Sequence, residues 1–303
     1  MKRSALAFAL LGWGFVAAPA AFQTPAQQES RPRATDAKTV SITASVVDSE
    51  GKAVSGLTVE DFRVREDDVA REVLKVGPNT EPMQIALLVD DSQASTNAIQ
   101  PIREGLTDFV DAMAGQAEIA IITVGERPTS VVQYTSSAEA LKKGIGRIFA
   151  RQGSGAYLLE AITEASRGLE RRKAARPVII ALTTEGVEFG SGFYEQILET
   201  LYASGATFHV LALGTPAPGT TEEMRNRNMV IAEGTERTGG RRDQLLSVQA
   251  IPERMKQLAA ELKNQYLVTY SRPETLIPPE RVRVSVRNPN LRVRANTVAV
   301  AAK

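Results

Sequence analysis

One short stretch, Asp90-Asp91-Ser92 with Ser95, places oxygen donors where a chain can grip an ion or a partner. Carboxylates and hydroxyls suit a hard divalent cation such as Mg²⁺ or Mn²⁺, which needs about six oxygens, or the polar groups of another macromolecule. They do not suit nucleophilic catalysis. The chain has no cysteine and one histidine, His209, which excludes thiolate nucleophiles, Cys/His zinc sites and every Ser-His pair not using His209. His209 itself lies in the apolar run 207–213, where a hydrogen-bonded core imidazole is the simpler reading. Asp90 and Asp91 are adjacent, and neighbours on an extended chain point to opposite sides, so they are not placed for joint acid/base work. No GxSxG, P-loop or dinucleotide fingerprint stands at a strand-to-helix turn.

The elements that must position these residues follow from hydrophobic patterning. Residues 85–89, Ile-Ala-Leu-Leu-Val, read as a strand buried on both faces, with Asp90 where it leaves the core. Helix spacing of Ile102, Leu106, Phe109, Val110 and Met113 predicts a helix over 98–113. Strands at 117–124, 177–182 and 207–213 alternate with helices at 138–149, 157–169 and 193–203, and 130–134 fits an antiparallel edge. This rhythm is that of an α/β fold, a doubly wound, mostly parallel, Rossmann-like sheet with helices on both faces. Ligands of such sheets bind outside the carboxyl ends of the strands, where the Asp90 stretch falls. Helices at 221–237 and 251–263 and strands at 266–270, 281–286 and 291–298 complete the chain.

The flanks read differently. Lys2 and Arg3 precede an apolar stretch at 5–18, and Ala18-Pro19-Ala20 offers a cleavage site, so 1–20 reads as an export signal. A Gln/Pro/Ser/Arg-rich leader at 21–37 precedes an N-terminal β module at 38–81, with a capped turn that plugs Leu57 and Phe62 and a hairpin pairing 62–66 with 72–76 around Asp67-Asp68. The α/β domain spans 82–245, and a C-terminal helix and β extension spans 246–303. The mature chain contains no second apolar run long enough to span a bilayer. The expected location is therefore the periplasm or the exterior.

Among 303 residues, 36 Lys and Arg oppose 35 Asp and Glu, a balance that implies no nucleic-acid partner. Arg281, Arg283, Arg287, Arg292 and Arg294 alternate with valines on strand-like segments, but no aromatic residues interleave to stack bases, so they read as a solvated face.

The strand ending in Asp90-Asp91-Ser92, the Gly-rich turn before Leu158 and the strand ending in Thr183-Thr184-Glu185-Gly186 together resemble a von Willebrand factor type A domain. The flanking segments 47–62 and 266–270 are similar to the exported bacterial VWFA-related family first noted in Acidobacteria. The resemblance covers roughly residues 38–295. It implies a non-catalytic adhesion or assembly module that contacts a protein or cell-surface macromolecule. In that fold a metal-ion-dependent adhesion site uses a DxSxS turn, a threonine and an aspartate. Here Asp90 and Ser92 match, Ala94 replaces the second serine, Ala156 stands at the threonine position and Glu185 replaces the aspartate.

The metal set implied is thus Asp90, Ser92 and Glu185, a degenerate site for Mg²⁺ or Mn²⁺ held weakly. A metal-free turn in which Asp90 accepts backbone N–H bonds explains the same residues more simply. The partner-binding rim implied is Asp90, Asp91, Ser92, Ser95, Ser154 and Glu185. A structural protein joining partners through β edges is the alternative, which requires exposed edges. A carboxylate-based hydrolase requires a deep pocket at the rim.

Overall fold

The computed structural model describes residues 37–216, 219, 221–273 and 279–298. The expected export signal and nearly all of the leader lie outside the described residues.

The chain opens with β1 (Ala37–Val47), β2 (Phe62–Glu66), β3 (Val69–Arg71) and β4 (Val73–Pro78). The α/β part follows as β5 (Met83–Val89), α1 (Ile99–Ala112), β6 (Ala117–Thr123), β7 (Thr129–Thr135), α2 (Ala138–Ile145), α3 (Leu158–Arg171), β8 (Arg176–Thr184), α4 (Tyr194–Ala203), β9 (Thr207–Leu213), α5 (Glu222–Arg237) and β10 (Arg242–Leu245). The chain closes with α6 (Ile251–Lys263), β11 (Tyr266–Pro273), β12 (Val282–Val286) and β13 (Arg292–Ala295).

The central sheet has the order β10-β9-β8-β5-β6-β7, parallel except for β7. Because β5 continues through α1 to β6 on one side while β8 flanks it on the other, the strand order reverses at β5. Crevices in open α/β sheets form at such a point. Alternate residues of the buried strands feed two cores. Ile85, Leu87 and Val89 face α1, α2 and α6, whereas Ala86 and Leu88 face α3, α4 and α5. Gly105 lets α1 approach α6, since a Cβ there would sit 2.9 Å from a methyl carbon of Ile251.

Two antiparallel sheets complete the fold, in the orders β13-β1-β11-β4 and β12-β2-β3. Each draws strands from both ends of the described chain. They share a third core of Ile42, Ala44, Val46, Phe62, Val64, Val268, Tyr270 and Val282. Neither the first strands nor the last could bury an apolar face alone, and together they can.

The hairpin at Asp67-Asp68 forms, with both residues at positive φ. Its returning strand differs from the expected one: only Val69–Arg71 pairs with β2. At Glu72 the chain crosses to the other sheet, where β4 pairs with β11, so 72–76 is not the partner of 62–66. The helix expected over 138–149 ends at Ile145, before Gly146. The strand expected over 291–298 is confined to Arg292–Ala295; Asn296 adds one more backbone bond, to Thr43 O, and its side-chain N–H donates to Gly205 O. The edge strand β10 carries no alternating pattern and is made by pairing with β9.

Candidate functional site

The carboxyl ends of β5, β6, β8 and β9 form a rim on which the three expected stretches meet. Asp90 N–H donates to Leu182 O, extending the β5–β8 ladder by one bond. Its Oδ1 accepts the Ser92 N–H at 2.8 Å, and its Oδ2 accepts the Thr184 N–H at 2.9 Å and the Thr184 hydroxyl. Asp91 turns to the opposite flank, as neighbours on an extended chain must. There its Oδ1 accepts the Gly125 N–H at 2.6 Å beyond β6, and its Oδ2 accepts Arg151 Nε–H at 2.9 Å. That bond raises the Arg151 pKa above its ordinary value.

The bend before α3 is stitched to this turn. Gly153 N–H donates to the Gln93 side chain and Gln93 N–H to Ser154 O, while the Ser154 hydroxyl donates to Arg151 O. Ala156 and the 187–189 segment exchange backbone bonds, Ala156 N–H to Val187 O and Phe189 N–H to Ala156 O, both at 2.8 Å. Asp90, the 154–156 bend and the end of β8 thus converge on one end of the sheet.

Side-chain orientation, however, splits them. Glu185 faces away from Asp90, toward α5 and β10: Oε2 accepts from Arg227 Nη1 and Oε1 from Gln244 Nε2, each at 3.3 Å. Asp90 has both oxygens committed to its own chain. Among the described residues no group of three or more His, Asp or Glu side chains is placed to hold a metal ion. The donor set of Asp90, Ser92 and Glu185 does not fit an ion, because its oxygens do not face a common point.

Asp90, Asp91, Ser92 and Ser95 are all buried, at 2% exposure or less. They shape the rim and present little surface to a partner. The outward surface comes from residues that sequence reasoning passed over. Five of the eight exposed large apolar side chains described, Phe149, Val187, Phe189, Phe193 and Leu246, lie on loops at this end of the sheet. Phe189 is 51% exposed, and its ring lies over the backbone of Gly155, where a Cβ would come within 2.5 Å of it. Tyr157 stands beside it, ring centroids 6.0 Å apart. The only sequence signal for this surface was three large apolar residues in a glycine-broken segment, 186–193, that has no strand or helix period.

Two buried charged groups under the rim were also missed. Arg227 on α5 is 1% exposed. Glu188 caps α3 by accepting the Leu158 N–H, and burial pushes it up to about 8 against the pull of Arg227. His209 is fully buried, its Nδ1 accepting the Arg241 N–H at 3.0 Å, and burial lowers it to about 4. It is the core imidazole expected.

Three grooves among the described residues are lined by residues away from the rim. One of about 790 Å³ runs between β12, β13 and the end of α5, one of about 490 Å³ lies at the amino ends of β5 and β6, and one of about 530 Å³ lies between α4 and α5. No helix of the described residues is long and apolar enough to cross a membrane.

Residues 85–186 match the family model described as von Willebrand factor type A domain. No curated protein matches the chain closely. Among solved structures, "von Willebrand factor type A from Catenulispora acidiphila" is similar at TM-score 0.51 and 12% identity, covering 86% of this chain and 73% of that one. The conserved hypothetical protein BatB from Bacteroides thetaiotaomicron gives TM-score 0.44 at 18% identity over 60% of this chain and 99% of its own. The pilus adhesin SpaC from Lactobacillus rhamnosus GG gives 0.49 at 11% identity, over 78% of this chain and 46% of that one.

Proposed function

We propose that this chain, whose residues 85–186 match the von Willebrand factor type A family model, is an exported, non-catalytic module that binds a protein or cell-surface macromolecule through the carboxyl-end rim. The observation that carries the reading is the concentration of exposed apolar side chains there, with Phe189 and Tyr157 forming an aromatic step over the 154–156 bend. Singly scattered apolar residues need no explanation, but a cluster of them at one edge marks a contact surface. The buried polar turn beneath acts as a scaffold: Asp90 ties β5 to β8 and Asp91 ties it to the end of β6, so the loops that bear Phe189 and Phe149 are held on rigid strands.

Export rests on the basic, then apolar, then small-residue pattern of residues 2–20. A hydrolase is disfavoured by chemistry. Asp90 and Asp91, the carboxylates such chemistry would use, are engaged with internal donors.

The β-edge alternative has one observation in its favour. The edge strands β3 and β4 carry Val69 and Leu74, 54% and 45% exposed. A capture experiment separates the two readings. Mature protein is immobilised as wild type, as Phe189→Ser with Phe193→Ser, and as Val69→Lys with Leu74→Lys, and envelope proteins retained by each are compared. Loss of the retained partner only with the serine pair supports the rim. Loss only with the lysine pair moves the contact to the β edges.

A further inference from the structure

Most of the charged groups at the rim have a named partner within the chain. Besides Glu126, which is exposed and pairs with Arg151, five carboxyl groups gather at this end of the sheet: Asp90, Asp91, Glu160, Glu185 and Glu188, of which Glu160 and Glu188 each keep one buried oxygen without a hydrogen bond. Asp90 is satisfied by Ser92 and Thr184, and Asp91 by Gly125 and Arg151. Glu160 accepts the Ser191 N–H at 2.6 Å, and Glu188 accepts the Leu158 and Gly190 N–H groups at 3.0 Å. Glu185 remains, and its partners are Gln244 and Arg227.

Arg227 is the largest fully buried side chain described. A guanidinium offers five N–H donors in one plane and is not deprotonated in proteins. Here the donors fan out over the end of β8. Nη2 reaches Thr184 O at 3.0 Å and Thr183 Oγ1 at 3.2 Å, Nη1 reaches Glu185 Oε2 at 3.3 Å, and Nε stands 3.9 Å from Glu188 Oε2. One side chain therefore grips the last strand residues and the Glu185 carboxylate, with the buried, proton-retaining Glu188 beside it but not hydrogen-bonded to it. Glu185 is drawn to the α5 face, and so is absent from the side where Asp90 and Ser92 stand. A divalent ion would have to take Glu185 from Arg227 and leave a buried guanidinium without its counter-charge, which is costly.

We infer that Arg227 is the resident cation at the end of β8, fixing the 185–188 loop by an internal ion pair with Glu185 where the parent fold would use a divalent metal, and that partner contact here is ion-independent. The second clause rests on the rim-binding reading above; the assignment of charge does not.

The test uses the mature chain. Thermal unfolding is measured in millimolar Mg²⁺, Mn²⁺ or Ca²⁺ and in EDTA, for wild type, Arg227→Met, Glu185→Gln and the double variant. Wild-type Tm is expected to be the same in all four solutions, since an ion bound by the native state would raise it. Arg227→Met is expected to lower Tm by roughly 10 °C, with part of that loss recovered when Glu185→Gln removes the stranded carboxylate. A purely packing role for Arg227 predicts no recovery. A wild-type Tm that rises with Mg²⁺ or Mn²⁺, or a double variant no more stable than Arg227→Met, overturns the assignment.

If Arg227→Met does not fold, Mn²⁺ titration of the wild type by water-proton relaxation decides the matter. Free-ion behaviour supports the proposal and saturable binding overturns it. In the capture experiment, equal retention in Mg²⁺ and EDTA is expected, and loss in EDTA overturns the ion-independence. Unchanged capture by the Phe189→Ser, Phe193→Ser pair overturns the rim reading alone.

Discussion

Asp90 holds Thr184 twice, its Oδ2 accepting both the backbone N–H, at 2.9 Å, and the hydroxyl of a residue 94 positions further along the chain. The bond pair closes β5 onto β8 at the point where each strand leaves the core. Removing the carboxylate leaves a buried N–H and a buried hydroxyl without an acceptor, the expensive direction of hydrogen-bond loss. Asp90→Ala is expected to cost roughly 3 kcal/mol, and Thr184→Val, which removes only the hydroxyl, roughly 1 kcal/mol. Urea midpoints at neutral pH check both, and a cost below that of Thr184→Val for Asp90→Ala would contradict the geometry.

His209 makes the fold acid-sensitive. Its folded pKa, about 4, lies below the unfolded value of 6.5, so between those two values the unfolded state binds a proton that the native state refuses. Stability from this group is present above about pH 6.5 and is lost as pH falls toward 4, by up to about 3 kcal/mol. His209→Gln should flatten that limb of the pH–stability curve, read by denaturant titration in steps from pH 4 to 7.

Glu188 acts with the opposite sign. Burial raises it from 4.5 to about 8, so the native state keeps a proton that the unfolded state releases. Its contribution is complete below about pH 4.5 and is lost progressively as pH climbs toward 8. Glu188→Gln keeps an acceptor for Leu158 and Gly190 and cannot ionise. This variant is expected to lose less stability than wild type between pH 7 and 8, where most of the His209 titration, centred at 6.5 in the unfolded state, is already complete. An unchanged slope over that interval would show that Glu188 is already ionised at neutral pH.

Tyr270 joins the two small sheets. Its hydroxyl on β11 donates to Glu66 Oε1 on β2 at 2.6 Å, and Glu66 also pairs with Arg71 and Arg272 in near-complete burial. Tyr270→Phe removes one charge-assisted bond while the arginines remain, and should cost roughly 2 kcal/mol. Glu66→Leu should cost more, since it removes the acceptor of the Tyr270 hydroxyl and the carboxylate paired with Arg71 together. Chemical denaturation followed by tryptophan-independent far-UV signal checks the ranking.

The α/β pattern could be read from the chain because it depends on local periodicity. The 85–89 and 207–213 runs are apolar on both faces, and α6 was delimited at 251–263 as found. Each signal is complete within a dozen residues. The β10 strand and the crossing at Glu72 could not be read this way, since both are set by partners, β9 and β11, that lie far along the sequence.

The site divides along the same line. Residue types and spacing alone placed Asp90 at a strand end, put Asp91 on the other side of it and removed thiol and Cys/His zinc chemistry, while the family resemblance implied that Ala94 and Ala156 stand where hydroxyl ligands would be needed. What the tertiary structure decided was orientation. Glu185 faces Arg227, 42 residues later, and the Asp90 carboxylate is spent on Thr184. Phe189 is left on the surface over Gly155, because the packing of α5 and the exchange between Ala156 and the 187–189 segment turn those side chains in directions that no local pattern encodes.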